Sequence, residues 1–135
     1  MRVLLSTLCC LALLASAALA GDGVPNLVGK YTGTAELHLK DKGFAKGPQP
    51  MVLEILEQQG HTFHGVKTWT QNDGKKGSET FSGVIAGDGK TLYIAEHESG
   101  ILVGELSSDG QALDLCYVDD GEKPKAIYYP LKRMK

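Results

Sequence analysis

From Leu27 onward the chain alternates with a period of two. Leu27, Gly29, Tyr31, Gly33, Ala35, Leu37 and Leu39 interleave with Val28, Lys30, Thr32, Thr34, Glu36, His38 and Lys40, which predicts a long strand with one buried and one wet face. Seven more segments of the same kind are predicted near Met51–Glu57, Thr62–Thr70, Ser78–Ile85, Thr91–Glu96, Ile101–Ser107, Ala112–Val118 and Lys125–Lys132, each bounded by Gly, Asp or Asn turns. No segment carries a convincing helical period.

The turns allow a register to be written down. Gln58-Gln59-Gly60 suits a three-residue hairpin, Asp88-Gly89 and Asp109-Gly110 suit two-residue turns, and Glu98-Ser99-Gly100 suits another three-residue turn. These assignments pair Ile55 with Phe63, Leu53 with Gly65, Ile85 with Leu92, Gly83 with Ile94, Glu96 with Leu102, Ile94 with Gly104, Leu106 with Leu113 and Leu102 with Tyr117. Apart from Glu96, every pair sets apolar or glycine against apolar, so this is the inward face. A meander of eight such strands hides its apolar face and removes its edges by rolling into an antiparallel up-and-down β-barrel. An open sheet or a two-layer sandwich is the competing arrangement.

The two ends of this barrel differ. The short turns at 58–60, 88–89 and 109–110 fall at one end, lined by Ile55, Phe63, Ile85, Leu92, Leu106 and Leu113, which reads as an apolar floor. The linkers at 40–50, 71–77 and 118–124 fall at the other, where the inward positions turn polar. If Gly65 pairs with Gly83, then Lys67, Phe81, Glu96, Leu102 and Tyr117 share one layer below the long loops, with Trp69 beside them. The Lys67 stem can lie along the apolar wall there while its ammonium reaches Glu96 or water. The inward glycines Gly29, Gly33, Gly65, Gly83 and Gly104 either leave volume for a guest or let the strands bend.

The first 20 residues, MRVLLSTLCCLALLASAALA, hold one Arg, an apolar run too short to span a membrane comfortably, and small residues at Ala18 and Ala20. They read as a secretory signal peptide, leaving residues 21–135 as one domain of 115 residues. Leu8 precedes Cys9 and Cys10 where a lipid-anchor signal needs a small residue, so the cysteines leave with the signal. The expected compartment is extracellular or periplasmic. Cys116 is then the only cysteine, and no intrachain disulfide forms. With 13 basic and 16 acidic residues after Ala20, the processed chain has a formal charge of −3 and no basic block for nucleic acid. No second apolar run has membrane length.

The segment NLVGKYTGT, Asn26–Thr34, resembles the first-strand signature of the calycin barrels, the lipocalin, fatty-acid-binding and avidin group, where Gly-x-Trp opens the strand at the closed end. Gly29 and Tyr31 occupy those positions, with Tyr in place of Trp. The resemblance implies a basic residue of the last strand, Lys132 or Arg133, lying across the Tyr31 ring. FHGVKTW is similar to the third-strand Phe-x-Gly pattern of avidin-like barrels. A terminal helix, a disulfide and the several Trp that wall an avidin site are lacking, so biotin binding is not carried over. By architecture the chain is also similar to small secreted barrels that inhibit bacterial metalloproteases through an N-terminal trunk, here GDGVPN.

Candidate chemistry concentrates at the open end. Lys67 with Glu96 reads either as a clamp for a polar head group or as an internal ion pair, and Trp69, Phe81, Tyr31 and Tyr117 either stack on a guest or are core. The ligand-binding candidates are therefore Lys67, Trp69, Phe81, Glu96, Tyr117 and Tyr31. His61 and His64 fall on opposite faces of their strand, and His38 and His97 meet only if closure brings their strands across the mouth. Asp119, Asp120 and Glu122 match a calcium loop in composition but not in spacing. No nucleophile elbow or acid–base–nucleophile set is present. No catalytic residue, metal or cofactor is expected. The expected function is a non-catalytic barrel binding a small, partly apolar ligand at its open end. The alternative is a protein-binding or protease-inhibitor-like module acting through the N-terminal segment or the loops. Oligomeric state is not legible, and Cys116, on the outward face, either couples two chains or is a passive thiol.

Overall fold

A computed structural model describes residues 23–135, so the expected signal peptide lies outside the described residues. The chain forms β1 (Gly29–Leu39), β2 (Gly43–Phe44), β3 (Gln49–Gln59), β4 (Thr62–Thr70), β5 (Lys76–Ile85), β6 (Thr91–Glu96), β7 (Ile101–Leu106), β8 (Ala112–Asp119) and β9 (Lys125–Arg133). β1 pairs antiparallel with β3, each strand from β3 to β9 pairs antiparallel with the next, and β1 also pairs with β9, closing eight strands into a barrel with no helix among the described residues. The ninth element, β2, is a two-residue addition in the 40–48 linker that pairs with the end of β1.

Alternation decides the faces as expected. On β6, Leu92, Ile94 and Glu96 are buried between exposed Tyr93 and Ala95. The core joins Tyr31, Met51, Leu53, Ile55, Phe63, Phe81, Ile85 and the inward residues of β6 to β9.

Three predicted registers are corrected. In the β3–β4 hairpin Gln59 pairs with Thr62 and Gln58 with Phe63, and a bulge between Ile55 and Glu57 sets Ile55 against Gly65 and Leu53 against Lys67. Gly60 takes a left-handed φ of 55° in a two-residue turn. The extra residue turns Gln58 inward, where its side chain accepts from Leu27 N at 2.8 Å and donates to Pro25 O at 2.9 Å. Between β4 and β5, Gly65 meets Phe81 and Gly83 meets Phe63. Between β6 and β7, Ile94 meets Leu102, because the turn spans residues 97–99 and Glu96 N donates to Gly100 O at 3.2 Å. The expected pairings Ile85–Leu92, Gly83–Ile94, Leu106–Leu113 and Leu102–Tyr117 are present.

Steric fit explains the β4–β5 register. Cross-strand partners there are Phe63 with Gly83, Gly65 with Phe81, Lys67 with Glu79 and Trp69 with Gly77. A Cβ on Gly83 would come within 2.3 Å of the Phe63 ring, one on Gly65 within 2.7 Å of Phe81, and one on Gly77 within 2.2 Å of Trp69. Each ring therefore lies on its partner glycine, as aromatic side chains do when they cover glycine in sheets. These inward glycines house neighbouring rings rather than a guest, and Gly33 and Gly104 instead admit close approach of the Pro130 and Asp114 carbonyls.

Gly83→Val should destabilise the fold by about 1–3 kcal/mol through overpacking against Phe63. Gly87→Ala, with open space at its Cβ, should stay within about 0.5 kcal/mol of the parent in denaturant unfolding.

Candidate functional site

The closed end is sealed by a tyrosine and an arginine. Tyr31 on β1 is fully buried, and Arg133 at the end of β9 lies over its ring with Cζ 5.1 Å from the centroid. Arg133 donates through Nε and Nη2 to the Tyr31 hydroxyl at 3.1 and 2.8 Å, and through Nη2 to Asn26 O at 2.9 Å and Val28 O at 3.3 Å. Tyr31 is thus committed to the floor, and its expected place among the ligand-binding residues is corrected. Leu27 plugs the same end, with Val24 packed against the core. Residues 23–26 are therefore tied down rather than extended as a free trunk.

At the open end the other candidates meet around Lys67, which is 4% exposed. Its ammonium donates to Glu96 Oε1. The side chain of Glu96 is 1% exposed, and its Oε2 meets no amide, hydroxyl or ammonium donor among the described residues, leaving the Glu79 carboxyl, with which Glu96 shares a hydrogen bond, as its polar neighbour. Trp69, Tyr117 and Tyr129 surround the Lys67 ammonium with ring centroids 5.1, 4.9 and 5.9 Å from Nζ. Phe81 lies beneath, cross-strand from Glu96, fully buried and edge-on to Phe63 at 6.3 Å. Trp69 is only half-buried and is the outermost ring.

Two participants escape the sequence reading. Glu79 pairs cross-strand with Lys67, and its Oε1 accepts from Glu98 N at 2.8 Å and Ser99 N at 3.2 Å, holding the rim turn of 97–99. Tyr129 reaches the cluster from β9. Both lie on the inward alternation of their strands, Glu79 with Phe81 and Tyr129 with Leu131, which is the signal that could have found them. Tyr117 packs on Gly100 and donates to Ser99 O at 3.0 Å, so the rim turn is held from two sides.

Electrostatics follow from two carboxyls around one ammonium. Burial pushes the Glu96 carboxyl up to about 7, helped by neighbouring Glu79 and only partly offset by Lys67. Burial works the same way on Glu79. It is outweighed there by the hydrogen bond with the Glu96 carboxyl, the two backbone N–H donors and the Lys67 charge, which hold Glu79 below its usual value. Burial also raises the Tyr129 and Tyr117 hydroxyls.

The remaining polar candidates stay apart. His38 stacks edge-on with Phe44 at 4.8 Å, whereas His97 bonds Thr80 and Ser82 at 2.8 and 3.0 Å. Asp119 accepts from Gly121 N at 3.0 Å and pairs with Lys125 at 3.5 Å. Among the described residues no three His, Cys, Asp or Glu converge as a metal set. Cys116 is exposed. Two shallow, open grooves lie outside the packed interior. One of about 370 Å³ is bounded by Ala35, Leu37, Phe44, Ala45 and Pro48 at the open rim. The other, about 400 Å³, lies between Gly23, Pro25 and the turns at 88–90 and 107–110.

No protein-family model and no curated protein matches the chain. Solved structures do. The redesigned β-barrel b11L5F_LGL matches with a TM-score of 0.55 at 14% identity, covering 81% of this chain and 92% of its own. EF1p2_mFAP2b, solved bound to DFHBI, matches with a TM-score of 0.52 at 16% identity, covering 80% and 94%. These likenesses show the eight-stranded antiparallel barrel expected from the calycin resemblance, without marking any one calycin family.

Because the folded chain holds the Glu96 proton more tightly than an unfolded carboxyl does, this contribution to stability is complete below about pH 4.5 and is lost as pH rises through about 7. Thermal unfolding followed from pH 5 to 8 should show a falling melting temperature for the parent and a flatter profile for Glu96→Gln.

Proposed function

We propose that this chain is a secreted or periplasmic, non-catalytic β-barrel that binds a small, partly apolar molecule at its open rim, against Trp69, Lys67, Glu96 and Tyr117. The observation that carries this reading is the Glu96 carboxyl, buried with one oxygen matched by no donor except the neighbouring Glu79 carboxyl, and bonded to a lysine ammonium that the half-buried Trp69 ring faces. A buried polar atom without a partner is rare in native folds and marks a place where something else belongs. The packed interior confines the guest to a shallow seat, entered by displacing the Trp69 ring from Gly77, with the apolar rim groove beside Ala35 and Leu37 open at the same end. Floor residues Tyr31 and Arg133 serve closure, and Phe81 serves as the base of the seat. Support for export is the charge, length and small-residue pattern of residues 1–20.

The test is titration of the purified chain with Nile red and a panel of small aromatic fragments, read by emission of Trp69, the only tryptophan. A saturable change that disappears in the double variant Lys67→Met/Glu96→Leu is expected, since apolar replacement of a buried pair is often tolerated by the fold. Unchanged Trp69 emission with every probe at millimolar concentration would overturn the reading.

A protein partner is the second reading, favoured by the outer wall rather than by residues 23–26. Val84, Tyr93, Val103 and Cys116 stand side by side in register across β5 to β8, with Tyr93 49% and Val103 38% exposed. Exposed apolar rows of this kind mark contact surfaces. If so, a protein captured from the native envelope fraction by the parent should be lost with Tyr93→Lys/Val103→Lys, and equal capture by both would exclude the wall.

A further inference from the structure

Once Glu96 ionises, above about pH 7, the cluster around Lys67 is short of positive charge. Glu79 and Glu96 bring two carboxyls to the single ammonium of Lys67, and Lys67 reaches only one oxygen of Glu96. Lys125, which also lies by Tyr117, has its Nζ 5.3 Å from that ring and paired with Asp119. Three ring faces, from Trp69, Tyr117 and Tyr129, turn toward the Lys67 ammonium that bonds Glu96, so the surroundings of this carboxyl are already suited to positive charge. Ring faces and carboxylates both attract cations and repel anions. An anionic guest would meet two carboxyls and three π faces, whereas a neutral donor would satisfy Glu96 Oε2 and leave the charge uncompensated.

We propose that the ligand of the open end is a small organic cation, a primary ammonium on a short apolar body, which donates to Glu96 Oε2, takes Glu79 as a second counter-charge and lies against the Trp69 ring. This rests on the small-molecule reading above and narrows it to one chemical class. Lys67 keeps its bond to Oε1, so the guest adds to the ion pair instead of replacing it.

The proton balance follows directly. The groups facing Glu96 are Lys67 from β4, Glu79 from β5, Tyr117 from β8 and Tyr129 from β9, and the carboxyl that titrates near neutrality is that of Glu96, while Glu79 is held below its usual value. Where Glu96 is protonated in the free chain, the entering cation takes the place of its proton, which leaves to solvent. Affinity for the ammonium therefore rises with pH through about 7.

The experiment compares 3-phenylpropylammonium, 3-phenylpropanol and 3-phenylpropionate, which share a body and differ in charge, by Trp69 emission and calorimetry at pH 5.5 and pH 8. The ammonium should bind at least about tenfold tighter than the alcohol at pH 8, and the ratio should shrink toward unity at pH 5.5. Near pH 7 its binding heat should change with the ionisation enthalpy of the buffer, reporting proton release, and Glu96→Gln should abolish the preference. Should that variant fail to fold, the buffer comparison on the unmodified chain decides. Equal affinity for ammonium and alcohol, or tightest binding of the propionate, would overturn the cation assignment while leaving the small-molecule reading in place. Absence of any Trp69 response to all three compounds and to Nile red would remove both.

Discussion

Three aromatic rings laid over three cross-strand glycines set the pairing of β4 with β5, and the open end is built on that pairing. Phe63 on Gly83, Phe81 on Gly65 and Trp69 on Gly77 interlock like teeth, large against nothing, so that a slip of two residues would set Phe63 against Phe81 in one direction and leave glycine facing glycine with Phe63 against Ile85 in the other. The same interlock brings Lys67 opposite Glu79 and leaves Phe81 opposite Glu96. It also fills the barrel. Eight strands enclose an interior just wide enough for side chains, and here the rings occupy the volume that glycines would otherwise leave.

Within that packed interior the Lys67–Glu96 pair is the energetic exception. Desolvating two charges usually cancels most of their attraction, and an apolar pair of similar volume serves stability as well or better. Stability alone therefore does not single out Lys, Glu and a second Glu for this layer. Their arrangement, with a second carboxyl as the polar neighbour of Glu96 and three π faces turned to the Lys67 ammonium, is the ground of the proposed binding seat.

The ends of the barrel divide the labour. Arg133 spends its donors on Tyr31, Asn26 and Val28, and Gln58 spends its amide on Pro25 and Leu27, so every polar group turned toward the floor is matched by local backbone or by Tyr31. At the rim, Glu79 and Tyr117 hold the 97–99 turn, and among the described residues Glu96 Oε2 is left with no neighbour to match it but the Glu79 carboxyl. The proposed seat rests on that rigidly framed carboxyl pair.

Alternation along single strands, a local property, was enough to name the inward face, the all-β barrel, the apolar floor and the polar rim. It likewise put Lys67, Trp69, Phe81, Glu96 and Tyr117 at one end, whereas the link of Tyr31 to a basic residue of the last strand came from the resemblance to calycin barrels and not from alternation. Where turn chemistry fixed the loop, at Asp88-Gly89 and Asp109-Gly110, the register followed too. Only the folded barrel decided which side chains touch across strands. The β3 bulge, the rings seated on glycines and the carboxylate-held 97–99 turn each moved a register by two residues, and the meeting of Glu79 and Tyr129 with Lys67 came with barrel closure. Shape fit and hydrogen bonds between residues distant in sequence set those contacts, and a period of two, indifferent to any even shift, carries no record of them.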